Sequence, residues 1–499
     1  MKFTKYIAAS MIALAGMTSC SESFLDTEYT EYLDEEAAAE AAGKNPSVFL
    51  NGMWSWLVTY SQTGSGSHDD FGYMSSLHAT DMMSEDICMG ASHWFNYDYQ
   101  LDNRMYNYRR VLAHWTNYYT VIAKANEIIS LYPDGGDTVD KKGLLGQAKS
   151  MRALAYLHLI QLFQNPTAAD GGIDSAAPGV PLMYTAADGK TEEEIANAKG
   201  RNTVADILAQ IELDLTSAVE LLEAGYVRPN KNYIDASVAN GLLARYYLLS
   251  QQWSKAAEAA NKARKGYSMM PATNAGLYDG FVTVNNVEWM WGFAHTTETQ
   301  TTYASFFSMI SNLAPGYAGM ALAPRLIDAR LYSQIPDTDY RKAWFNGPEG
   351  SMQATEAASL PYANIKFGHL SDWTDNYMYM RAAEMVLIEA EAYVRMGDAA
   401  KGAQVLKVLM DARQPGWNKM AVSVDDIHLQ RRIELWGEGF AYYDLKRLNK
   451  GTDRAYEGNN HLAGYDIVVP ARDKRWYYQI PLSEIQENDL INEEDQNPL

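Results

Sequence analysis

Three stretches far apart in the chain share one helical pattern, and that pattern limits the possible folds more than any other feature. RALAYLHLIQLF (152–163), LLARYYLLSQQWSKAAEAANKA (242–263) and IEAEAYVRMGDAAKGAQVLKVL (388–409) each carry an alanine three residues before a tyrosine. The pairs are Ala153/Tyr156, Ala244/Tyr247 and Ala390/Tyr393. Residues i and i+3 share a helix face, so the alanine lets a neighbouring helix approach while the tyrosine fills the adjacent hole. In the second and third stretches a short turn, Ser250-Gln251-Gln252 or Met396-Gly397-Asp398, leads into an alanine-rich second helix. Helical hairpins of this kind bury their apolar faces only by stacking on one another.

The most regular predicted helix runs from Thr203 to Glu223. Thr203 and Asp206 suit its first turn, and Val204, Ile207, Leu208, Ile211, Leu215, Ala218, Val219 and Leu222 recur at the spacing of one buried face. The spacing therefore predicts a mainly α fold, a scaffold of tetratricopeptide-like helices near 105–163, 203–265 and 377–412. The segments between, near 61–103 and 266–376, are rich in Gly, Pro, Asn, Thr and aromatics, as is 165–202. Long insertions on a repeat scaffold carry its binding surface, so these loop-rich excursions are the expected ligand-binding part.

The N-terminus predicts export. Lys2 and Lys5 precede an apolar run over residues 6–17, the form of a secretory signal peptide too short to span a bilayer. One of only two cysteines, Cys20, follows Gly16-Met17-Thr18-Ser19 directly. This resembles a bacterial lipobox, with Met17 where Leu is usual, and implies that Cys20 is lipidated and becomes the mature N-terminus. Residues 1–19 are then a lipoprotein signal peptide and 20–36 an acylated tether. More than one acyl chain at such a cysteine suffices for stable anchoring. An ordinary cleavage near Cys20, or a disulfide to Cys88, are the competing readings. The formal net charge of −21 repels phosphate backbones, so nucleic acid is not an expected partner.

Enzyme signatures are missing. There is no phosphate-binding glycine loop, no H-E-x-x-H and no G-x-S-x-G elbow. The nine histidines are scattered rather than spaced as metal ligands, and Cys88 reads as a buried packing residue. The strongest acidic group is Asp81, Glu85 and Asp86 in HATDMMSEDICM (78–89). On a helix Asp81 and Glu85 would share a face, which makes them the candidates if the chain were a hydrolase. Asp134, Asp137 and Asp140 flank a Gly-Gly turn but miss the ligand order of a calcium loop. A structural Ca2+ thus has no support, and no metal or other cofactor is expected.

Aromatic clusters give the positive signal. Trp54, Trp56 and Tyr60 form one group; Trp94, Phe95, Tyr97 and Tyr99 form a second, interleaved with Asn96, Asp98 and Asn103. A third holds Trp289, Trp291, Phe293, Tyr303, Phe306 and Phe307 among amides and threonines. Sugar rings stack their CH faces on flat aromatics and satisfy their hydroxyls with Asn, Asp and Arg, and peptides use similar surfaces. Trp289 and Trp291 alternate as if facing one side of a strand, where core and site are equally good readings.

Several motifs together resemble one family. RRIELWGEGFAYYDLKRL (431–448) is similar to the RRxELxxEGxRxxDLxRW signature of SusD/RagB proteins, matching at Arg431, Arg432, Glu434, Leu435, Glu438, Gly439, Asp444, Leu445 and Arg447. The ending IPLSEIQENDLINEEDQNPL is similar to the family's closing segment without its final Gly-Tyr. APGVPL (177–182), the 203–223 helix and the RALAY helix also match. The resemblance implies a SusD-like domain over 37–499, without catalytic activity, lipid-anchored in the outer membrane and facing the cell exterior. It further implies capture of a glycan, or in some members a peptide, and delivery to a SusC-like TonB-dependent transporter. By chain order in the starch-binding member, Trp94, Asn96 and Tyr97 are the expected ligand residues, completed by Trp291 and Tyr303 with Asp81 as polar neighbour. In RRIELWGEGF, Arg432 and Glu434 are expected to pair while Leu435 and Trp436 pack.

The lipobox reading has a direct check. Cys20→Ala should move the protein from the membrane fraction to the soluble fraction, with loss of labelling by a radioactive or clickable fatty acid.

Overall fold

The computed structural model describes residues 47–271 and 280–499. Cys20 and the tether lie outside the described residues. Phe49–Leu499 clusters as one compact unit.

Among the described residues, eleven helices of seven residues or more carry the architecture. These are α1 (Ser47–Val58), α2 (Tyr73–Asp81), α3 (Arg109–Leu131), α4 (Val139–Phe163), α5 (Val204–Glu223), α6 (Ala236–Leu249), α7 (Trp253–Arg264), α8 (Ala382–Arg395), α9 (Ala399–Met410), α10 (Val424–Glu434) and α11 (Ala441–Arg447). From α3 to α9 each long helix packs on the next, so α7 and α8 are neighbours although the 265–381 excursion separates them. That ladder is the predicted mainly α, tetratricopeptide-like scaffold.

Small residues set the helix spacing. A Cβ on Gly402 of α9 would meet Val394 Cγ2 at 2.5 Å and the Ala390 carbonyl oxygen at 3.0 Å. The contact is therefore made at the alanine of the third Ala/Tyr pair. In the first pair Ala153 and Tyr156 are both buried, and Tyr156 Oη caps the loop below by accepting from Met183 N at 2.8 Å. Thr203 begins α5 as expected: its Oγ1 accepts from Asp206 N at 3.2 Å while Asp206 Oδ2 accepts from Thr203 N at 3.1 Å.

The excursions are stitched by short antiparallel strand pairs. β1 (Ile87–Met89) pairs with β3 (Arg325–Ile327), placing Cys88 opposite Leu326. β2 (Trp289–Phe293) pairs with β4 (Tyr377–Arg381) through a register shift between Trp289 and Trp291, and β5 (Thr452–Asp453) pairs with β6 (Val468–Val469). That irregularity sits between the two tryptophans expected to share a face. Both are fully buried, so core is the reading that applies. Cys88 is a free, buried thiol.

A buried ionic network fastens the middle excursion to the C-terminal motif. Glu434, the last residue of α10, takes Arg381 Nη1 at 2.6 Å, Arg413 Nη2 at 3.0 Å and Arg341 Nη1 at 3.1 Å. Arg381 also reaches Glu438 at 2.8 Å and Glu288 at 2.9 Å. Lys366 reaches Glu438 at 2.6 Å, and Arg341 reaches Asp339 at 2.6 Å. Four cations (Arg341, Lys366, Arg381, Arg413) thus face four carboxylates (Glu288, Asp339, Glu434, Glu438), and no net charge is left dry. Burial alone would raise the Glu434 carboxyl, but Arg413, Arg381 and Arg341 hold it well below the usual range. Burial lowers the Lys366 ammonium to about 8 in spite of Glu438.

Two expectations about this region are corrected. Arg432 does not pair with Glu434; it pairs with Asp86 at 2.5 Å and Glu85 at 2.8 Å. Residues two apart on a helix point to different sides, so the two charges serve different neighbours. Asp81 is not a ligand neighbour either. Its side chain is buried and accepts from Gly439 N at 2.7 Å and Ala441 N at 3.1 Å. Burial pushes its carboxyl up to about 7 against those two donors. Gly439 must be glycine there, at φ +89°, because a Cβ would meet Leu77 Cβ at 2.6 Å. The former hydrolase candidates Asp81 and Glu85 are therefore both engaged internally.

Glu434→Gln leaves three buried arginines short of a counter-charge and should cost about 3–5 kcal/mol of stability. Urea or guanidinium unfolding followed by circular dichroism measures it; a loss of under about 1 kcal/mol would contradict the role assigned to Glu434.

Candidate functional site

The segment after β1 turns sharply at Phe95, which holds a left-handed backbone at φ +70°. A bulky residue tolerates that conformation only where its surroundings fix it. The Phe95 ring is buried edge-on to Phe71 and His78, with Arg110 Cζ 4.9 Å above its centre. Trp94 on one side and Asn96 and Tyr97 on the other are thereby left at the surface, Tyr97 57% exposed. Beneath them Arg110 grips Asp98 (3.1 Å) and Asp69 (2.9 Å), and Asp98 receives Asn103 Nδ2 at 3.2 Å. An open cavity of about 700 Å³ results, lined by His93, Trp94, Asn96, Tyr97, Asn107 and Arg109 among others. That size suits a small-molecule ligand.

From this cavity a run of rings crosses the surface. His68 stacks on Trp94 at 5.7 Å and 24°, and Tyr60 meets His68 at 6.1 Å. Tyr317 lies 5.8 Å from His68, 4.9 Å from His93 and 6.3 Å from Trp94. Its hydroxyl is 2.7 Å from His68 Nδ1. Tyr303 continues the run 6.0 Å from Tyr317, and Trp373 follows 6.3 Å from Tyr303. Tyr60 and Tyr303 are 44% and 47% exposed, and Trp373 at the far end is half-buried.

Each loop that supplies a ring is closed by its own bonds. Asp70 Oδ2 accepts from Thr63 N (3.0 Å) and Oγ1 (2.7 Å) to close the Tyr60–His68 loop. Ser308 Oγ accepts from Tyr317 N at 3.1 Å. Asp375 accepts from Leu370 N at 2.6 Å and lies 2.8 Å from His369 Nδ1, closing the turn that carries Trp373 at φ +59°.

Of the six expected ligand residues, the structure gathers Trp94, Asn96 and Tyr97 at the cavity and Tyr303 on the ring run. Trp291 is a correction. It is fully buried, its Nε1 donates to the Asn232 carbonyl at 3.1 Å, and its ring meets Trp54 and Tyr379 edge-on. With Asp81, it belongs to the core. Sequence reasoning missed His68, His93, Tyr317 and Trp373. A signal for two of them existed: Pro315-Gly316-Tyr317 and Ser371-Asp372-Trp373 set a ring among turn-forming residues, as Ser92-His93-Trp94 does.

Among the described residues no helix is long and apolar enough to cross a membrane. A family model described as "Starch-binding associating with outer membrane" matches residues 50–248, and one described as "SusD family" matches 369–499. The chain is 25% identical over 394 residues to SusD-like protein P2 of Formosa agariphila, spanning 69% of this chain and 72% of that one. A SusD-like carbohydrate binding protein from Bacteroides vulgatus has 26% identity and a TM-score of 0.77, covering 92% of this chain and 98% of its own. A laminarin binding SusD-like protein shares the fold at 19% identity and TM-score 0.65, over 91% and 99% of the two chains. SusD-family glycan-binding proteins are non-catalytic. With family models at both ends, a shared fold along nearly the whole length, and the α10–α11 motif at the centre of its ionic network, this chain belongs to the SusD/RagB family.

Proposed function

We propose that this protein is a lipid-anchored receptor of the outer membrane, facing the cell exterior, that captures a glycan intact and hands it to a SusC-like TonB-dependent transporter. The observation that carries this reading is the run Tyr60–His68–Trp94–Tyr317–Tyr303–Trp373 beside a cavity lined by both aromatic and polar side chains. An oligosaccharide presents alternating apolar ring faces and hydroxyl edges. Flat aromatic rings meet the first, while Asn96, Asn103, Asn107 and Arg109 at the cavity wall meet the second. A series of rings selects a chain of linked sugars over a single sugar, because each ring contributes only where a sugar lies over it. The carbohydrate-binding and laminarin-binding relatives support the ligand class, and the outer-membrane description of the family model supports the location.

Calorimetry against a panel of oligosaccharides, laminarin-derived β-glucans included, and a peptide pool tests the reading. Binding of one oligosaccharide class is expected, with the ligand recovered uncleaved. Trp94→Ala and Tyr317→Ala should each weaken it about tenfold or more, roughly 1.4 kcal/mol. Binding that survives the Trp94→Ala/Tyr317→Ala double variant, exclusive binding of peptides, or release of cleavage products would each reject the proposal. For the transporter, co-purification of a TonB-dependent barrel with the tagged protein from native membranes is the expected result.

A further inference from the structure

Cys88, Asp328 and His461 come from three separate segments yet meet at one point. Cys88 lies on β1. Asp328 follows β3 and starts a short helix, its Oδ1 accepting from Leu331 N at 2.7 Å. His461 lies in the excursion between β5 and β6. The three ligand-type atoms fall within 4.8 Å of one another, and among the described residues this is the group of that kind that converges. All three residues are buried.

Two of the three edges are close to those of a tetrahedral metal site. Cys88 Sγ is 3.6 Å from His461 Nε2, and Nε2 is 3.1 Å from Asp328 Oδ2. With metal–ligand bonds of about 2.3 Å to sulfur and about 2.0–2.2 Å to nitrogen and oxygen, tetrahedral edges are roughly 3.6 Å for S···N and roughly 3.3 Å for N···O. Asn460 Oδ1, 3.4 Å from Sγ, offers a fourth ligand atom, although it also accepts from Ala329 N at 2.8 Å. The surrounding groups orient these atoms as outer-shell partners do. Tyr99 Oη bonds His461 Nδ1, Tyr456 Oη donates to Asp328 Oδ2 at 2.6 Å, and Asn460 Nδ2 donates to the Ile327 carbonyl at 2.9 Å. A thiolate, a carboxylate and a neutral imidazole would cancel a divalent charge, and this mixed S/N/O set suits Zn2+ better than Ca2+ or Mg2+. Tyr456 and Asn460 are half-buried, so the point lies one side chain below solvent.

We propose that Cys88, Asp328 and His461, with Asn460 as fourth ligand, form a structural zinc site. Bound zinc would clamp the 454–467 excursion to the β1–β3 pair. That excursion supports the ring-bearing loop: Tyr465 Oη lies 2.8 Å from Ser92 Oγ, and the Tyr465 ring lies 5.5 Å from Tyr99. The clamp therefore stiffens the segment that presents Trp94, Asn96 and Tyr97.

The test uses the full chain prepared without chelator. Elemental analysis should find about one zinc per chain, and Co2+ added after EDTA treatment should give an intense near-ultraviolet thiolate-to-metal absorption. EDTA should lower the melting temperature and Zn2+ restore it. Cys88→Ser and His461→Gln should lose both the absorption and the zinc response while melting like the EDTA-treated parent, which separates loss of metal from misfolding. Trp94→Ala should keep the metal. Zinc content no higher than in Cys88→Ser, no cobalt–thiolate band and a melting point indifferent to EDTA would overturn the proposal and leave the trio a hydrogen-bonded group only.

Discussion

The buried ion cluster around Glu434 is the constraint on which the other parts depend. Burying even one unpaired charge is expensive, and removing one member of a buried pair commonly costs several kcal/mol. Here eight charges from four regions of the chain are neutral only as a set. Glu288 and Arg381 belong to the β2–β4 region, Asp339, Arg341 and Lys366 to the long excursion, Arg413 to the segment after α9, and Glu434 and Glu438 to the C-terminal motif. The long excursion between α7 and α8 has little regular structure of its own. Its position comes from this cluster, which works as a lock only when every segment is in place.

The same logic explains why the motif RRIELWGEGF sits far from the rings yet matters to them. Arg432 holds Glu85 and Asp86 just before β1, Gly439 N and Ala441 N hold Asp81 at the end of α2, and Trp436 Nε1 donates to the Asp86 carbonyl at 2.8 Å. The segment that carries Trp94 begins immediately after this anchored stretch. A motif remote from the rings thereby fixes the starting point of the loop that carries Trp94.

Local signals made the scaffold legible in the sequence. The Ala/Tyr spacing, the Thr203–Asp206 cap and the apolar period of α5 are each set within a few residues. The ring-bearing segment around Trp94 was legible for a related reason, since aromatics among Asn and Asp residues suit a partly wet loop. What stayed hidden depends on distant partners. Trp291 looked like Trp94 by composition, but β4, Trp54 and Tyr379 enclose it. Asp81 looked like half of an i,i+4 pair, but α2 ends at that residue and the carboxylate turns to a backbone more than 350 positions away in the chain. Tyr60 and His68 share one loop, Tyr317 and Trp373 join the same surface from two others, and no spacing rule connects the three.

The rings of that surface sit on independently closed loops mounted on one charge-locked frame. Thr63–Asp70, Phe95, Ser308–Tyr317 and Asp375–Leu370 each secure a single loop without drawing on the next. The loops then meet through the rings, as where the Tyr317 hydroxyl lies 2.7 Å from His68 Nδ1 and the two rings 5.8 Å apart, so a change of one ring is felt by its neighbours in the run. Changing what the surface presents needs no change of architecture: neighbouring rings can be exchanged a few at a time while the frame beneath them keeps its fold.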